Sequence, residues 1–522
     1  MGMVAPRQRI ASAFVVIFGH HGEVSRYAQE RGVCRQSVYR ESARTLAALE
    51  GTRWRQQVAQ LRQLLRQSRR RVAELEARLA EAVVLDRDKQ AEVACVGQAR
   101  GISLPDVQAL LEVLRPGQVA SVATLGRCTQ AAGAQSGALL AVLDEYARAR
   151  VRQAAADEIY VTDPVLMVVE PESLCWINGR LTESVRGSAW AEEFRRLPAL
   201  EQVTRDGGKS LANGVAAVNA QRQEQGQPAV ADQLDHFHTL RGGSQGLRKL
   251  EARLRSALAE ADDCQAALDR QRRHGHSENG FRHKARDRWS KAEKAWGAWQ
   301  QRDAVWQQAK AALALVTPEG ELNTRARAEA MLAETLPQLP DADFAPAKRM
   351  LQQPQTLTYL DEVQRKLAAL PMPPEVRQAA VRQECLRRRP ELCQGDTVQA
   401  AALRGVLLVC AVVLAKAGAV GQQAVAGVQA IFRNTWRASS LVECINSVLR
   451  MQQSRHRKMS QGLLDLKRLY WNAHRFRSGR RKGTTPYERL GVPWPPGIRW
   501  WDLLKLTPEQ LRAELSALEK PK

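Results

Sequence analysis

The chain has 522 residues and carries 78 Lys and Arg against 55 Asp and Glu, a formal net charge of +23. That length holds about three or four domains, and the positive excess argues for a polyanionic partner, because neutralised phosphates release counterions. The nine cysteines are scattered with no CxxC pair, which argues against a structural zinc site and suits a reducing cytosol.

The apolar run from Ala11 to Phe18 is too short for a secretory signal and is followed by His20 and His21. Within residues 1–50, Val24 to Tyr39 has helix-turn-helix spacing. Ala28 is small where two helices approach, Gly32 falls where the turn needs positive φ, and Val38 packs back. The second helix of this unit then offers Arg35, Gln36, Ser37 and Arg40 to a major groove.

Residues 51–98 carry a heptad pattern in Val58, Leu61, Leu65, Val72, Leu75, Leu79 and Ala82, with Ser68 as a polar interruption. This predicts a coiled coil, joining two protomers or folding back on its own chain. Residues 99–150 form a further helical module. There Thr129, Gly133 and Leu139 repeat the spacing of Ala28, Gly32 and Val38, which predicts a second helix-turn-helix.

From residue 151 to 244 the pattern changes to short strands: 157–161, 165–169, 174–178 and 200–204, broken by Asp163-Pro164, Pro171 and Asn178-Gly179. A helix over 182–197 precedes the fourth strand. Residues 245–430 read as an all-α insertion. It opens with a long hairpin in which Leu247, Leu250, Leu254 and Leu258 begin one seam. Trp289, Trp296, Trp299 and Trp306 mark another, expected to pack within the hairpin or core. Leu403 to Val420 is the most apolar stretch. With Arg404, Lys416 and Gly418 inside it, the expectation is a buried helix and no membrane span. Residues 431–492 read as helical up to 475 and from 476 as the start of a basic, Pro/Gly-rich tail that runs to 500 with Trp494, Trp500 and Trp501; 493–522 read as the C-terminal tail.

Three carboxylates stand out. Asp157 begins the first strand, Asp206 follows the fourth, and Glu443 shares a polar helix face with Asn446, Ser447 and Arg450 at i, i+3, i+4 and i+7. Phosphodiester transfer charges both the attacking and the leaving oxygen. Two hard divalent ions held by a few carboxylates stabilise both. Glu158 adjoins Asp157, but strand alternation sends it to the opposite face; Asp163 is close and Asp465 reads as structural.

Around these carboxylates the chain resembles the DDE transposases of bacterial insertion sequences. The likeness rests on Asp157-Glu158-Ile159-Tyr160, Arg205-Asp206-Gly207-Gly208, Gln233 to His238, the run around Glu443, and Tyr470 to Phe476 with Thr485 to Gly491. It spans roughly residues 150–240 and 430–492. The resemblance implies a ribonuclease-H-like α/β catalytic core, split by the helical insertion, in a multidomain and predominantly α protein. It implies Asp157, Asp206 and Glu443 as ligands of two Mg²⁺ or Mn²⁺ ions, supported by Asp235, His238, Asn446 and Arg450. It also implies double-stranded DNA as partner, both terminal repeats and target, with a homodimer or higher oligomer on DNA in a bacterial cytoplasm. The long separation of Asp206 from Glu443 departs from a compact core and requires the insertion. Arg475, Arg477, Arg480, Arg481 and Lys482 are expected on phosphates.

Two other readings remain. A non-catalytic helix-turn-helix regulator accounts for residues 1–150 and leaves the strands and the Glu443 face unexplained. A recombinase would use Tyr470, but no arginine–histidine constellation surrounds it in sequence.

Overall fold

A computed structural model describes residues 5–49, 54–81, 85–393, 397–453 and 458–519. The chain divides into two compact units, Met1–Leu85 and Asp86–Lys522.

In the first unit, α1 (Pro6–Phe18), α2 (Glu23–Glu30) and α3 (Arg35–Ala48) pack around buried Ala28 and Val38. Gly32 turns between α2 and α3 at φ 66°, a left-handed conformation that costs other residues about 1–2 kcal/mol. The turn thus falls where the spacing predicts it. Arg31 Nη1 pairs with Glu41 Oε2 at 2.8 Å, and Ser12 Oγ donates to the same oxygen at 2.6 Å, tying α1 to α3. The fourth helix, α4 (Trp54–Glu81), is a single helix of 28 residues. Its seam is exposed: Leu61 at 54%, Val72 at 50%. The side chain of Leu79 and all of Ala82 lie outside the described residues. The heptad run does not continue to residue 98. Asp86 caps a separate helix, α5 (Arg87–Ala99), by accepting the Lys89 N–H at 2.8 Å, and this helix belongs to the second unit.

The second unit continues with α6 (Leu104–Leu114) and α7 (Val122–Arg148). The predicted second helix-turn-helix is absent, since α7 runs unbroken through Gly133. A Cβ on Gly133 would sit 2.7 Å from the carbonyl oxygen of Gly462. The glycine serves a close helix crossing, not a turn.

Then come β1 (Gln153–Tyr160), β2 (Pro164–Glu170), β3 (Cys175–Leu181), α8 (Gly187–Arg195), β4 (Gln202–Arg205), α9 (Lys209–Glu224) and β5 (Ala231–Leu234). The strands form one sheet in the order β3-β2-β1-β4-β5, with β1, β2 and β3 antiparallel and β1, β4 and β5 parallel. The first strand starts at Gln153, so Asp157 lies inside it and not at its start. Three alanines, Ala154 to Ala156, carry little strand propensity and are held by pairing. The fifth strand, only Ala-Asp-Gln-Leu, has no β-branched residue and exists through its pairing with β4. One sheet face, with Ala154, Ala156, Leu166 and Val168, packs on Trp190 and Phe194 of α8 and Val215 of α9.

The insertion comprises α10 (His236–Arg273), α11 (Asn279–Ala312), α12 (Arg325–Thr335), α13 (Asp341–Leu351), α14 (Thr358–Ala368), α15 (Pro374–Leu386), α16 (Val398–Lys416) and α17 (Gly418–Arg433). Its core holds Trp306, Phe344, Tyr359 and Leu360. The long α10–α11 hairpin is present, but Trp289 and Trp296 are exposed and do not pack inside it. Alanines 257, 261 and 292 make that part of the interface, which draws the helices too close for indoles. The apolar stretch is not a buried helix either. Gly418, at φ 55°, splits it between α16 and α17, and only 17% of the apolar window of α16 is buried. Among the described residues, α16 is the one helix long and apolar enough to cross a membrane.

The second sheet face, with Ala155, Ile159, Val165, Met167 and Trp176, is covered by α18 (Ser440–Gln453) through Val442, Ile445 and Leu449, and by α19 (Gln461–Ala473) through Leu464. Arg468 donates to Asp144 and to the carbonyls of Trp176 and Ile177. Asn472 bonds both the N–H and the carbonyl of Trp176, at 2.8 and 2.9 Å. These side chains satisfy the open edge of β3. Residues 520–522 lie outside the described residues. Beyond α20 (Pro486–Leu490), residues 493–519 are no tail. They form α21 (Trp500–Leu503) and α22 (Pro508–Glu519) and bury Trp494, Trp500, Trp501, Leu511 and Leu515 in the first core.

Candidate metal centre

The parallel register brings two of the carboxylates together. Ala156 pairs with Arg205, so Asp157, next in β1, and Asp206, the first residue past β4, both follow directly from one paired position. Asp157 shares its face with Ala155 and Ile159, the face that α18 covers. Its Oδ1 accepts the Glu158 N–H at 2.9 Å and its Oδ2 accepts from Asn446 Nδ2 at 3.0 Å. Burial, with the neighbouring charges of Asp206 and Glu443, pushes the Asp157 carboxyl up to about 7. Opposing that, the His238 charge pulls it down.

Asp206 leaves β4 at the N-terminus of α9, where its Oδ1 accepts the Gly208 N–H at 2.8 Å. A Cβ on Gly208 would lie 2.8 Å from that same oxygen, so the second glycine of the Asp-Gly-Gly turn keeps the carboxylate in place. Beneath it, the buried Arg205 guanidinium pairs with Asp232 of β5 at 2.7 Å.

Asp235 caps α10. It is fully buried, accepting the Phe237 N–H at 2.7 Å on Oδ1, and Ser439 Oγ at 2.7 Å and His238 Nδ1 at 2.6 Å on Oδ2. Burial works against its charge, but those three hydrogen bonds outweigh it and hold the carboxyl below its ordinary range. The bond to Asp235 in turn raises His238, against desolvation, with help from Asp157 and Asp206. His238 therefore holds its proton more readily than an ordinary imidazole, beside the carboxylates of Asp157 and Asp206.

Glu443 is in the first turn of α18, and Arg450 Nη2 pairs with its Oε2. The sequence places Asn446 and Arg450 on the face of Glu443, and both side chains bond carboxylates of the cluster. Ser447 instead turns to the carbonyl of Cys444 at 2.6 Å.

The groups around Asp157 offer carboxylate oxygens and the buried Asn446 Oδ1, which accepts no hydrogen bond among the described residues. An all-oxygen set fits a hard ion such as Mg²⁺ or Mn²⁺. Among the described residues, however, no three His, Cys, Asp or Glu side chains are close enough to share one ion. Arg450 on Glu443 and Asn446 on Asp157 occupy oxygens that an ion would need.

Two features escaped the sequence. Ser439 holds Asp235, and its place four residues before Glu443 on the approach to α18 was the available signal. Glu158 does point away from Asp157, toward Trp190, yet burial and, after it, the Asp206 charge raise it, so it belongs to the electrostatics of the cluster. Asp163 is exposed in the β1–β2 turn, and Asp465 accepts from Gln461 at 2.8 Å on α19. Tyr470 lies under Arg100 and against Trp500 in the first core, apart from the carboxylates.

The expected DNA contacts divide. Arg35, Gln36 and Arg40 are exposed on α3, with Ser37 half-buried beside Cys34. In the basic run, Arg477 and Lys482 are exposed and Arg480 lies over Trp436. Arg475 and Arg481 are committed within the chain. Arg475 pairs with Glu488 at 2.6 Å, and Arg481 donates to the carbonyls of Pro171 and Glu172 at 3.0 Å.

No family model, curated protein or solved structure matches this chain.

Proposed function

We propose that the chain is a DNA transposase of the acidic-triad type, with a ribonuclease-H-like core built on β1 to β5. The carrying observation is that Asp157 of β1, Asp206 just past β4 and the Glu443 helix meet beside the central strands of a sheet ordered 3-2-1-4-5, where burial first, and the Asp206 and Glu443 charges with it, raise Asp157. A carboxylate cluster under such strain is a poor structural element and a good cation site.

Asp157, Asp206 and Glu443 would hold two Mg²⁺ or Mn²⁺ ions, which when bound stabilise the charge on the attacking and leaving oxygens of a phosphodiester. Asn446 fixes the Asp157 carboxylate. Ser439 holds Asp235, and Asp235 holds His238, whose imidazole is thereby more readily protonated beside Asp157 and Asp206. Arg450 leaves Glu443 and turns its guanidinium to a phosphate, a geometry it matches in a bidentate way. The exposed residues Arg35, Gln36 and Arg40 read the element ends, and Arg477, Arg480 and Lys482 hold backbone phosphates. The terminal-repeat and target DNA, an oligomer on DNA and a bacterial nucleoid location belong to the same reading.

The test is cleavage of DNA carrying the sequences that flank the gene, with Mg²⁺ or Mn²⁺. Nicking that is lost in Asp206→Asn and kept in Tyr470→Phe supports the proposal. Tight, ion-independent binding without any nicking would instead make the chain a helix-turn-helix regulator.

A further inference from the structure

The longest helices of the protein carry a charge that the candidate metal centre does not use. From Arg270 to Lys294, around the tip of the α10–α11 hairpin, nine Lys and Arg face three acidic residues. Glu278 is taken by Arg272 at 3.3 Å and Arg282 at 2.9 Å. Lower down, Glu260 is taken by Arg288 at 2.7 Å and Lys291 at 3.4 Å. Arg270, Arg273, Lys284, Arg286 and Lys294 are exposed and have no ion pair among the described residues. Keeping so many like charges at one end of a hairpin is repulsive unless a polyanion neutralises them.

Aromatic side chains accompany them. Arg282, Trp289 and Trp296 follow one another at intervals of seven, so they share a stripe of α11, and both indoles are exposed, Trp296 at 48%. Large flat apolar groups beside guanidinium groups suit a sugar-phosphate surface better than bulk water.

The tip is also remote from the metal centre. The helix α10 starts at His236, next to Asp235, and ends at Arg273, so the tip stands about 55 Å along the helix from the site. That distance equals about 16 base pairs of B-form DNA at 3.4 Å each.

We infer that the hairpin tip is a second, sequence-independent binding surface for duplex DNA, gripping the backbone remote from the carboxylates. The inference rests on the proposed function only in taking DNA as the polyanion. It needs neither the metal ions nor cleavage.

The test uses the full chain and a 30-base-pair duplex of random sequence, with anisotropy read across a salt series. Each phosphate contact contributes about 0.9 to the slope of log affinity against log salt. The variant Arg270→Gln/Arg273→Gln/Lys284→Gln/Arg286→Gln changes only exposed side chains, and an unchanged melting temperature certifies its fold. The expected result is a slope lower by about 3 and at least a tenfold weaker affinity near 0.1 M salt. An unchanged slope overturns the inference. So does a loss seen only on anionic phospholipid vesicles and not on the duplex. Binding that drops in this variant while no ion supports nicking leaves the tip assignment standing and removes the cleavage reading. Nicking with an unchanged slope does the reverse.

Discussion

Replacing Asp157 by Asn should stabilise the ion-free protein. The Asp157 carboxyl lies at about 7 in the fold, against 3.8 for an ordinary aspartate. The fold therefore binds this proton more tightly than the unfolded chain does. The stability linked to it is fully present below pH 3.8, shrinks as pH rises, and is lost above about pH 7. A shift of about 3 units corresponds to about 4 kcal/mol of strain at pH 8. The side chain is only 8% exposed, so solvent screening removes little of this. Asn keeps a carbonyl oxygen to accept from Asn446 and sheds the charge. With about 2.1 cal/mol/K per residue, a unit the size of Asp86–Lys522 unfolds with about 0.9 kcal/mol/K of entropy, so the variant gains about 4 °C at pH 8. At pH 5 the remaining strain is about 1.6 kcal/mol, and the gain falls to about 2 °C. Calorimetric scans in chelator at the two pH values measure both. Added Mg²⁺ should raise the wild-type midpoint and leave that of Asp157→Asn unmoved. A variant that melts at or below wild type at pH 8, or whose gain is the same at pH 5, would refute the picture of a strained carboxylate cluster.

Arg450→Gln frees Glu443, so Mg²⁺ should bind several-fold more tightly by calorimetric titration, while DNA affinity drops. Equal Mg²⁺ affinity would show that the ion pair does not compete. His238 is raised by Asp235, so its contribution is complete below pH 6.5 and is lost as pH climbs through its higher folded value. Asp235→Asn should accordingly lower the His238 titration midpoint seen by NMR and destabilise the protein most on the acid side. Gly133→Ala puts a methyl against the backbone of Gly462, and overpacking of that kind costs about 1–3 kcal/mol. Thermal unfolding should show a lower midpoint, and Gly137→Ala, facing the movable Asp465 side chain, should lose less.

The parts of the fold that could be read from sequence are those where one local demand determines one residue. Gly32 lies between two polar helices and has no other use than positive φ. Asp206 precedes two glycines, of which Gly208 must be bare to admit its carboxylate. Gly133 has the same spacing as Gly32 but sits in an alanine-rich run with no Asn, Asp or Pro to stop a helix, and its demand comes from a helix more than three hundred residues away. The tryptophans mislead for a related reason. Their heptad spacing predicts a shared stripe correctly, but whether that stripe faces a partner helix depends on Ala257, Ala261 and Ala292 filling the interface first. At the candidate site, Asp157, Asp206 and the Glu443 face were legible from chemistry and order. The Arg450–Glu443 pair, the Ser439 bond and the raised affinity of His238 for its proton were not, because each depends on distances that only the packed sheet and α18 create.

The Asp235 carboxylate that caps α10 is also the fulcrum of a long arm. One continuous helix joins that cap to the hairpin tip, with no proline along its length. Over about 55 Å, a tilt of about 5° at the base sweeps the tip through about 5 Å. Motion at the far end is returned to the base as torque on the hydrogen bonds of Asp235 to His238 and Ser439. A load on the hairpin is thereby felt, magnified by the length of the arm, at the hydrogen bonds that hold His238 beside the carboxylates.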